Sequence, residues 1–127
     1  MHIKLFLDAT IRKILSLTMV FQNPLANAIK YTPNRGKISL TIRLEGIALS
    51  ITVADTGIGI PKKDRPLIFQ RFFRADNAKE REPEGIGLGL YILKAIIDLM
   101  GGKIWFTSRE NKGTTFYITF PIKKILM

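Results

Sequence analysis

The stretch that most constrains this chain is Asp55-Thr56-Gly57-Ile58-Gly59-Ile60-Pro61, which follows the apolar run Ala48–Ala54. The run is strand-like in residue type. It ends on a carboxylate, two glycines two positions apart and a proline, so a buried strand must stop there in a tightly turned loop. A second cluster, Gly85-Ile86-Gly87-Leu88-Gly89, opens a helical pattern, and five of the ten glycines sit in these two places.

The remaining segments supply the frame. Ile3–Leu7 reads as a short edge strand, and Asp8 is placed to cap a helix from Ile11. Its stripe runs through Ile14, Leu15, Thr18, Met19 and Gln22, with Leu17, Val20 and Phe21 widening the apolar surface toward a sheet. Pro24 would cost about 3 kcal/mol inside a helix. A break is therefore expected there, with Asn23 as cap and Pro24 as first residue of a new segment, Leu25–Tyr31, ended by Thr32-Pro33 and the turn Asn34-Arg35-Gly36. Lys37–Leu44 alternates Ile38, Leu40, Ile42 and Leu44 with polar residues; Glu45-Gly46 signals a hairpin, and Ile47–Ala54 resumes strand character. Pro61–Phe73 holds a short helix with Phe69, Phe72 and Phe73 near its end. Arg74–Glu84 is charged with nothing to bury, which predicts a mobile loop. Leu88–Met100 is helical with Ile92, Leu93, Ile96, Ile97 and Met100 inward, and Gly101-Gly102 ends it. Lys103–Ser108 and Thr114–Pro121 form a last hairpin around Asn111-Lys112-Gly113. Helices alternating with hairpins predict an α+β fold: a two-layer α/β sandwich, a mixed, mostly antiparallel sheet with helices on one face.

Composition narrows the function. Residues 1–127 make one domain with enough apolar content, 46%, for a core. No apolar window is long enough to span a membrane, and Met1–Leu7 is too short for a secretory signal. Cysteine is absent and His2 is the one histidine, so thiolate and clustered-histidine metal sites are excluded. The net charge of +10 suits a polyanion, but the basic residues are spread from Lys4 to Lys124 without the aromatic–basic pattern of a single-strand binder. The balance is against nucleic acid and against direct membrane contact.

Several residues carry chemistry. Asp55, at the end of a buried strand, is expensive without partners. It either accepts from an exocyclic amino group, which would favour adenine over guanine, or caps its own turn. Gly57 and Gly59 let backbone approach a flat ligand, or simply turn a loop. The third glycine of a dinucleotide fingerprint is replaced by Lys62. Gly85, Gly87 and Gly89 precede a helix whose N-terminus can hold phosphate. A charged loop rather than a strand comes before them, and no Gly-Lys-Ser/Thr follows, so neither a Rossmann nor a Walker A site fits. Asn23, Asn27, Lys30 and Tyr31 share one helix face. That face offers a hard-cation ligand, a phosphate partner and a flank for a base, or it is simply solvated.

Together these features resemble the catalytic ATP-binding domain of bacterial sensor histidine kinases, in the superfamily shared with gyrase, Hsp90 and MutL. Asn27-Ala28-Ile29-Lys30-Tyr31-Thr32-Pro33 is similar to the N box, Asp55–Pro61 to the G1 box, Ile68–Asp76 to the F box, Gly85–Leu90 to the G2 box and Gly113-Thr114-Thr115-Phe116 to the final motif, in order over about residues 18–121. The resemblance implies a Bergerat-type fold, a mixed sheet against three helices, with ATP and Mg²⁺ between the layers. It implies Asn27 as the Mg²⁺ ligand, Asp55 as the adenine contact, Lys30 and Arg71 near the phosphates, and a lid over about residues 62–85 anchored by its phenylalanines. Further nucleotide contacts are implied for Asn23, Tyr31, Gly57, Gly59, Ile60, Phe69, Arg74, Gly85, Gly87, Leu88, Gly89, Leu90 and Thr115.

The resemblance also implies γ-phosphoryl transfer to a histidine on a partner dimerisation domain, and through it to a response regulator, in cytoplasmic two-component signalling. Hydrolytic relatives carry a Glu where Asn23 stands, and an amide cannot act as a base, so ATP should be held for transfer. Pro24 replaces a usual leucine and Ile86 a common threonine. His2-Ile3-Lys4 lacks the acidic residue and helix of a phosphoacceptor, so the dimerisation domain is expected to be absent. A non-catalytic ATP-binding regulatory module and a basic nucleic-acid binder are the competing readings.

Overall fold

The computed structural model describes residues 2–5, 18–81 and 87–121. The expected cap at Asp8, the first turns of the helix from Ile11, and Gly85 with Ile86 lie outside them. Five strands form one sheet: β1 (His2–Leu5), β2 (Ile38–Glu45), β3 (Ala48–Asp55), β4 (Lys103–Arg109) and β5 (Gly113–Pro121). The order is β1-β2-β3-β5-β4. β1 pairs parallel to β2, and the other four strands are antiparallel. The described helices are α1 (Thr18–Tyr31), the short α2 (Asp76–Arg81) and α3 (Gly89–Leu99), with a 3-10 turn at Lys62–Leu67. None is long and apolar enough to cross a membrane.

Alternation explains the core. Leu40 and Ile42 on β2, Leu49, Ile51 and Val53 on β3, and Ile118 and Phe120 on β5 point to one face and are buried. α3 meets them with Leu93 and Ile97, one turn apart, and α1 with the small Ala28. The opposite sheet face is half-exposed, and there Trp105 stacks on Tyr117 across β4 and β5 with 5.4 Å between ring centroids.

Two expectations fail in instructive ways. Pro24 does not split the helix: α1 runs through it, and its ring is fully buried. Asn23 is not a cap because its side chain donates across the interface to the carbonyl of Gly89, 3.2 Å away. The lost backbone bond is offset by apolar burial, and the helix axis stays on the core. Nor is the described part of the expected loop, residues 74–81, irregular throughout. Ala75 is buried, residues 76–81 form α2, and Asp76 pairs with Lys63 at 2.7 Å. That ion pair is exposed and contributes little. Asn77 holds more firmly, donating to the carbonyls of Gly59 at 2.9 Å and Ile58 at 3.4 Å.

Truncation of Ile51 to alanine should cost about 2–5 kcal/mol in urea unfolding, as it opens a cavity at the centre of the sheet. Leu44→Ala, at the partly exposed hairpin tip, should stay within about 0.5 kcal/mol.

Candidate functional site

A cavity of about 250 Å³ opens between the helix layer and one end of the sheet. α1 contributes Asn23, Ala26, Asn27, Lys30 and Tyr31, one stripe of successive turns. The end of β3 and its loop contribute Asp55, Ile58, Gly59 and Ile60. Leu88, Gly89 and Leu90 stand at the start of α3, after Gly87, and Thr114 and Phe116 come from β5. Ile68, Phe73, Arg74, Ala75, Asn77 and Ala78 close the remaining side.

Asp55 is the electrostatic centre. Its Oδ1 accepts from the Gly57 amide at 2.9 Å and the Thr114 amide at 3.2 Å. Burial pushes its pKa above the usual aspartate value, and the two backbone bonds pull it partly back. The loop is fixed on either side of it. The Ile58 amide donates to the Tyr31 carbonyl at 3.0 Å, and the Ile60 amide to Ser108 Oγ at 2.8 Å. A Cβ on Gly57 would collide with the carbonyl of Tyr31, and one on Gly59 (φ 69°) with that of Arg109. Both glycines are thus required where loop backbone lies against backbone.

At the other end, Leu88 precedes α3 with no side-chain cap, so the first amides of the helix open beside the cavity. Asn27 lines the wall and its amide makes no hydrogen bond among the described residues. Arg74 reaches Tyr31 Oη at 3.4 Å and the Ala78 carbonyl at 3.2 Å.

The cavity wall therefore gathers Asn23, Asn27, Lys30, Tyr31, Asp55, Gly59, Ile60, Arg74, Gly87, Leu88, Gly89 and Leu90. Four others expected at the site stand off it. Gly57 is buried beneath the loop. Phe69 packs edge-on against Phe106, which leans on Phe116, so it ties its own segment to the sheet through a ring neighbour. Arg71 is exposed and lies 5.3 Å from the ring centroid of Tyr91, outside the lining. Thr115 points to the opposite sheet face, because the pleat turns Thr114 and Phe116 inward. Asn77 and Ala78 line the cavity without having stood out in sequence, and Thr114 lines it where the motif resemblance offers Thr115. Alternation along the last strand was the available signal for Thr114; no sequence signal marked Asn77.

The family model described as histidine kinase-, DNA gyrase B-, and HSP90-like ATPase matches residues 12–124. The chain belongs to this family. It is 46% identical over 110 residues to the sensor histidine kinase WalK of Bacillus subtilis, covering 85% of this chain and 18% of WalK. The mycobacterial sensor histidine kinase MprB has a TM-score of 0.73 at 31% identity, covering 84% of this chain and 72% of that one. Full-length ShkA in complex with AMPPNP has a TM-score of 0.68 at 30% identity, over 83% of this chain and 21% of ShkA. The chain spans about a fifth of the length of the curated relatives it matches. Those relatives are protein-histidine kinases, and this chain corresponds to their ATPase domain.

The raised pKa of Asp55 has a consequence for stability. A folded value above the unfolded one means that the fold disfavours the ionised form; the penalty is full above the folded pKa and disappears as pH falls through it. Asp55→Asn keeps an acceptor for both amides and should raise Tm at pH 7, with the gain shrinking as pH drops into the acid range. Thermal unfolding from pH 7 to pH 4 measures this.

Proposed function

We propose that the chain binds Mg-ATP and presents the γ-phosphoryl group to a histidine on a partner dimerisation domain, whose phosphate then passes to a response regulator. The observation that supports this most is the placement of Asp55 and the open start of α3 at two ends of one cavity, with the Asn27 face of α1 between them. An adenine amino group would donate to Asp55 Oδ2, since both backbone bonds fall on Oδ1. Phosphates would lie at the amides of Gly89 and Leu90 and near Lys30, where helix-end dipole and ammonium favour negative charge.

The residues also fit Mg²⁺. That ion keeps several waters and takes phosphate oxygens, so it asks the protein for few ligands. The Asn27 amide is such a ligand, and the described residues hold no group of three acidic or histidine side chains that would indicate an all-protein cage. Bound there, the ion would neutralise charge on the phosphates.

Asn23 helps decide between transfer and hydrolysis. Its amide holds Gly89 and has no basicity to activate water. The chain's own contribution is thus positioning and charge neutralisation, with water left unactivated. A basic, cytoplasmic domain with no acceptor histidine in its site then needs the partner domain to complete a turnover.

Asp55→Ala should weaken ATP binding by roughly two orders of magnitude while leaving circular dichroism unchanged, the effect of losing a charged hydrogen bond in a buried site; retained affinity in calorimetry would remove Asp55 from the base contact. Asn27→Ala should erase the difference in ATP affinity with and without Mg²⁺. If the wild type itself binds ATP equally with and without the ion, the ligand role is wrong. For the transfer step, incubation with [γ-³²P]ATP and a dimerisation domain supplied in trans should label that domain's histidine, and ATP binding without any labelling would point to a regulatory module.

A further inference from the structure

Ser108 on β4 stands directly opposite Thr114 on β5 and does not line the cavity. Its hydroxyl has three polar neighbours: the Ile60 amide at 2.8 Å, Thr114 Oγ1 at 2.8 Å and the Gly113 carbonyl at 3.1 Å. A serine hydroxyl has one proton to donate and two lone pairs. The Ile60 amide can only donate, and the Gly113 carbonyl can only accept. One arrangement satisfies all three contacts: Ser108 accepts from Ile60, donates to Gly113 and accepts from Thr114. If Ser108 instead donated to Thr114, its oxygen would face the Gly113 carbonyl with no proton between them.

The single proton of Thr114 is therefore committed to Ser108. Thr114 itself lines the cavity, and a ligand that reaches its oxygen from there meets lone pairs alone. Asp55, whose Oδ1 already takes the Gly57 and Thr114 amides, offers Oδ2, which when ionised is also an acceptor. The same Ser108 hydroxyl holds Ile60, so one side chain sets both the loop and the polarity of this end of the site.

We propose that Ser108 is a positioning residue for base specificity: by fixing the Thr114 proton it makes this end of the cavity acceptor-only, selecting a purine with an exocyclic 6-amino group over a 6-oxo purine. This rests on the nucleotide reading above. A 6-amino group brings two donors to two acceptors. A 6-oxo purine brings an N1–H that can serve one of them, but its 6-oxo oxygen then faces the other, and a buried acceptor without a donor is penalised. Without Ser108, the Thr114 hydroxyl is released to rotate and donate to the 6-oxo oxygen.

The test measures dissociation constants of ATP and ITP for the wild type, Ser108→Ala and Ser108→Thr by calorimetry. ITP differs from ATP in carrying the 6-oxo group, with N1 protonated, and no added 2-amino group. The wild type should prefer ATP. Ser108→Ala should narrow that preference by about tenfold, the scale of one hydrogen bond, and Ser108→Thr, which keeps the hydroxyl, should restore it. A merely structural role would weaken both nucleotides together, so an unchanged ATP-to-ITP ratio in Ser108→Ala overturns the inference. If that variant does not fold, Thr114→Val takes its place: it removes the fixed acceptor with its shape kept, and an unchanged ratio there is equally fatal. A wild type that binds ATP selectively with ratios unmoved by these variants sinks the role of Ser108 alone. A wild type that binds neither nucleotide sinks the nucleotide reading as well.

Discussion

The site depends on one carboxylate placed where a strand runs out. β3 is buried along its inner face up to Val53, and register puts Asp55 opposite Ile38 on one side and Thr114 on the other. A charge at that point needs donors, and the chain provides two of its own amides. The first, from Gly57, folds the loop back on the carboxylate. The second, from Thr114, ties that loop to β5. Once those bonds exist, the loop lies so close to the backbone of Tyr31 and Arg109 that side chains at positions 57 and 59 are excluded. Loop shape at this wall of the cavity is thus tied to one buried carboxylate, while strand register brings its second donor alongside. Satisfaction is partial, since both bonds fall on one oxygen and burial still raises the pKa.

The helix layer supplies the other half by tertiary pairing. α1 and α3 cross over the same core, and the Asn23–Gly89 bond locks the polar face of one against the open start of the other. Neither helix makes a site alone: α1 carries side chains without exposed backbone, and α3 carries exposed backbone with few polar side chains. The segment from Lys62 to Arg81 adds a third element whose hold is local and polar, through Asn77 on the loop and Arg74 on Tyr31, with Phe69 rooted on Phe106. Among its described residues few apolar ones are buried beyond Ile68 and Ala75, so its hold on the core is light.

What could be read from sequence follows from which physical signal is local. The strands of the two hairpins were legible because burial on one face imposes a period of two on residue type. α3 was legible because Leu93 and Ile97 fall one turn apart before two glycines. Pro24 misled because its local cost is visible in sequence while the burial that offsets it is tertiary. α2 was missed because a six-residue helix held by side-chain bonds to a distant loop has no apolar period to display. Arg71 and Phe69 were assigned to the site on resemblance, and the structure puts their contacts on neighbouring rings instead. Thr115 shows the limit most sharply. A motif identifies a pair of threonines, but the pleat alone decides which faces the cavity, and a shift of one residue reverses the answer.

Ser108 belongs to a different class of residue, and its case bears on how such sites hold specificity. It has no motif, touches no cavity, and is an ordinary serine in a strand. Its importance comes from cross-strand register, which sets it against Thr114, and from the loop, which brings the Ile60 amide to the same oxygen. Counting donors and acceptors around that oxygen leaves one consistent assignment of protons. The direction of a single hydroxyl proton then propagates to the cavity surface, where it decides what the neighbouring threonine can offer. On the proposed reading it is acceptor polarity that discriminates between purines, because a mismatched pair of acceptors in a partly buried site loses a hydrogen bond that water cannot fully replace. A residue that only packs could be exchanged for another of equal volume; one that fixes a proton cannot lose its hydroxyl without changing what the site recognises.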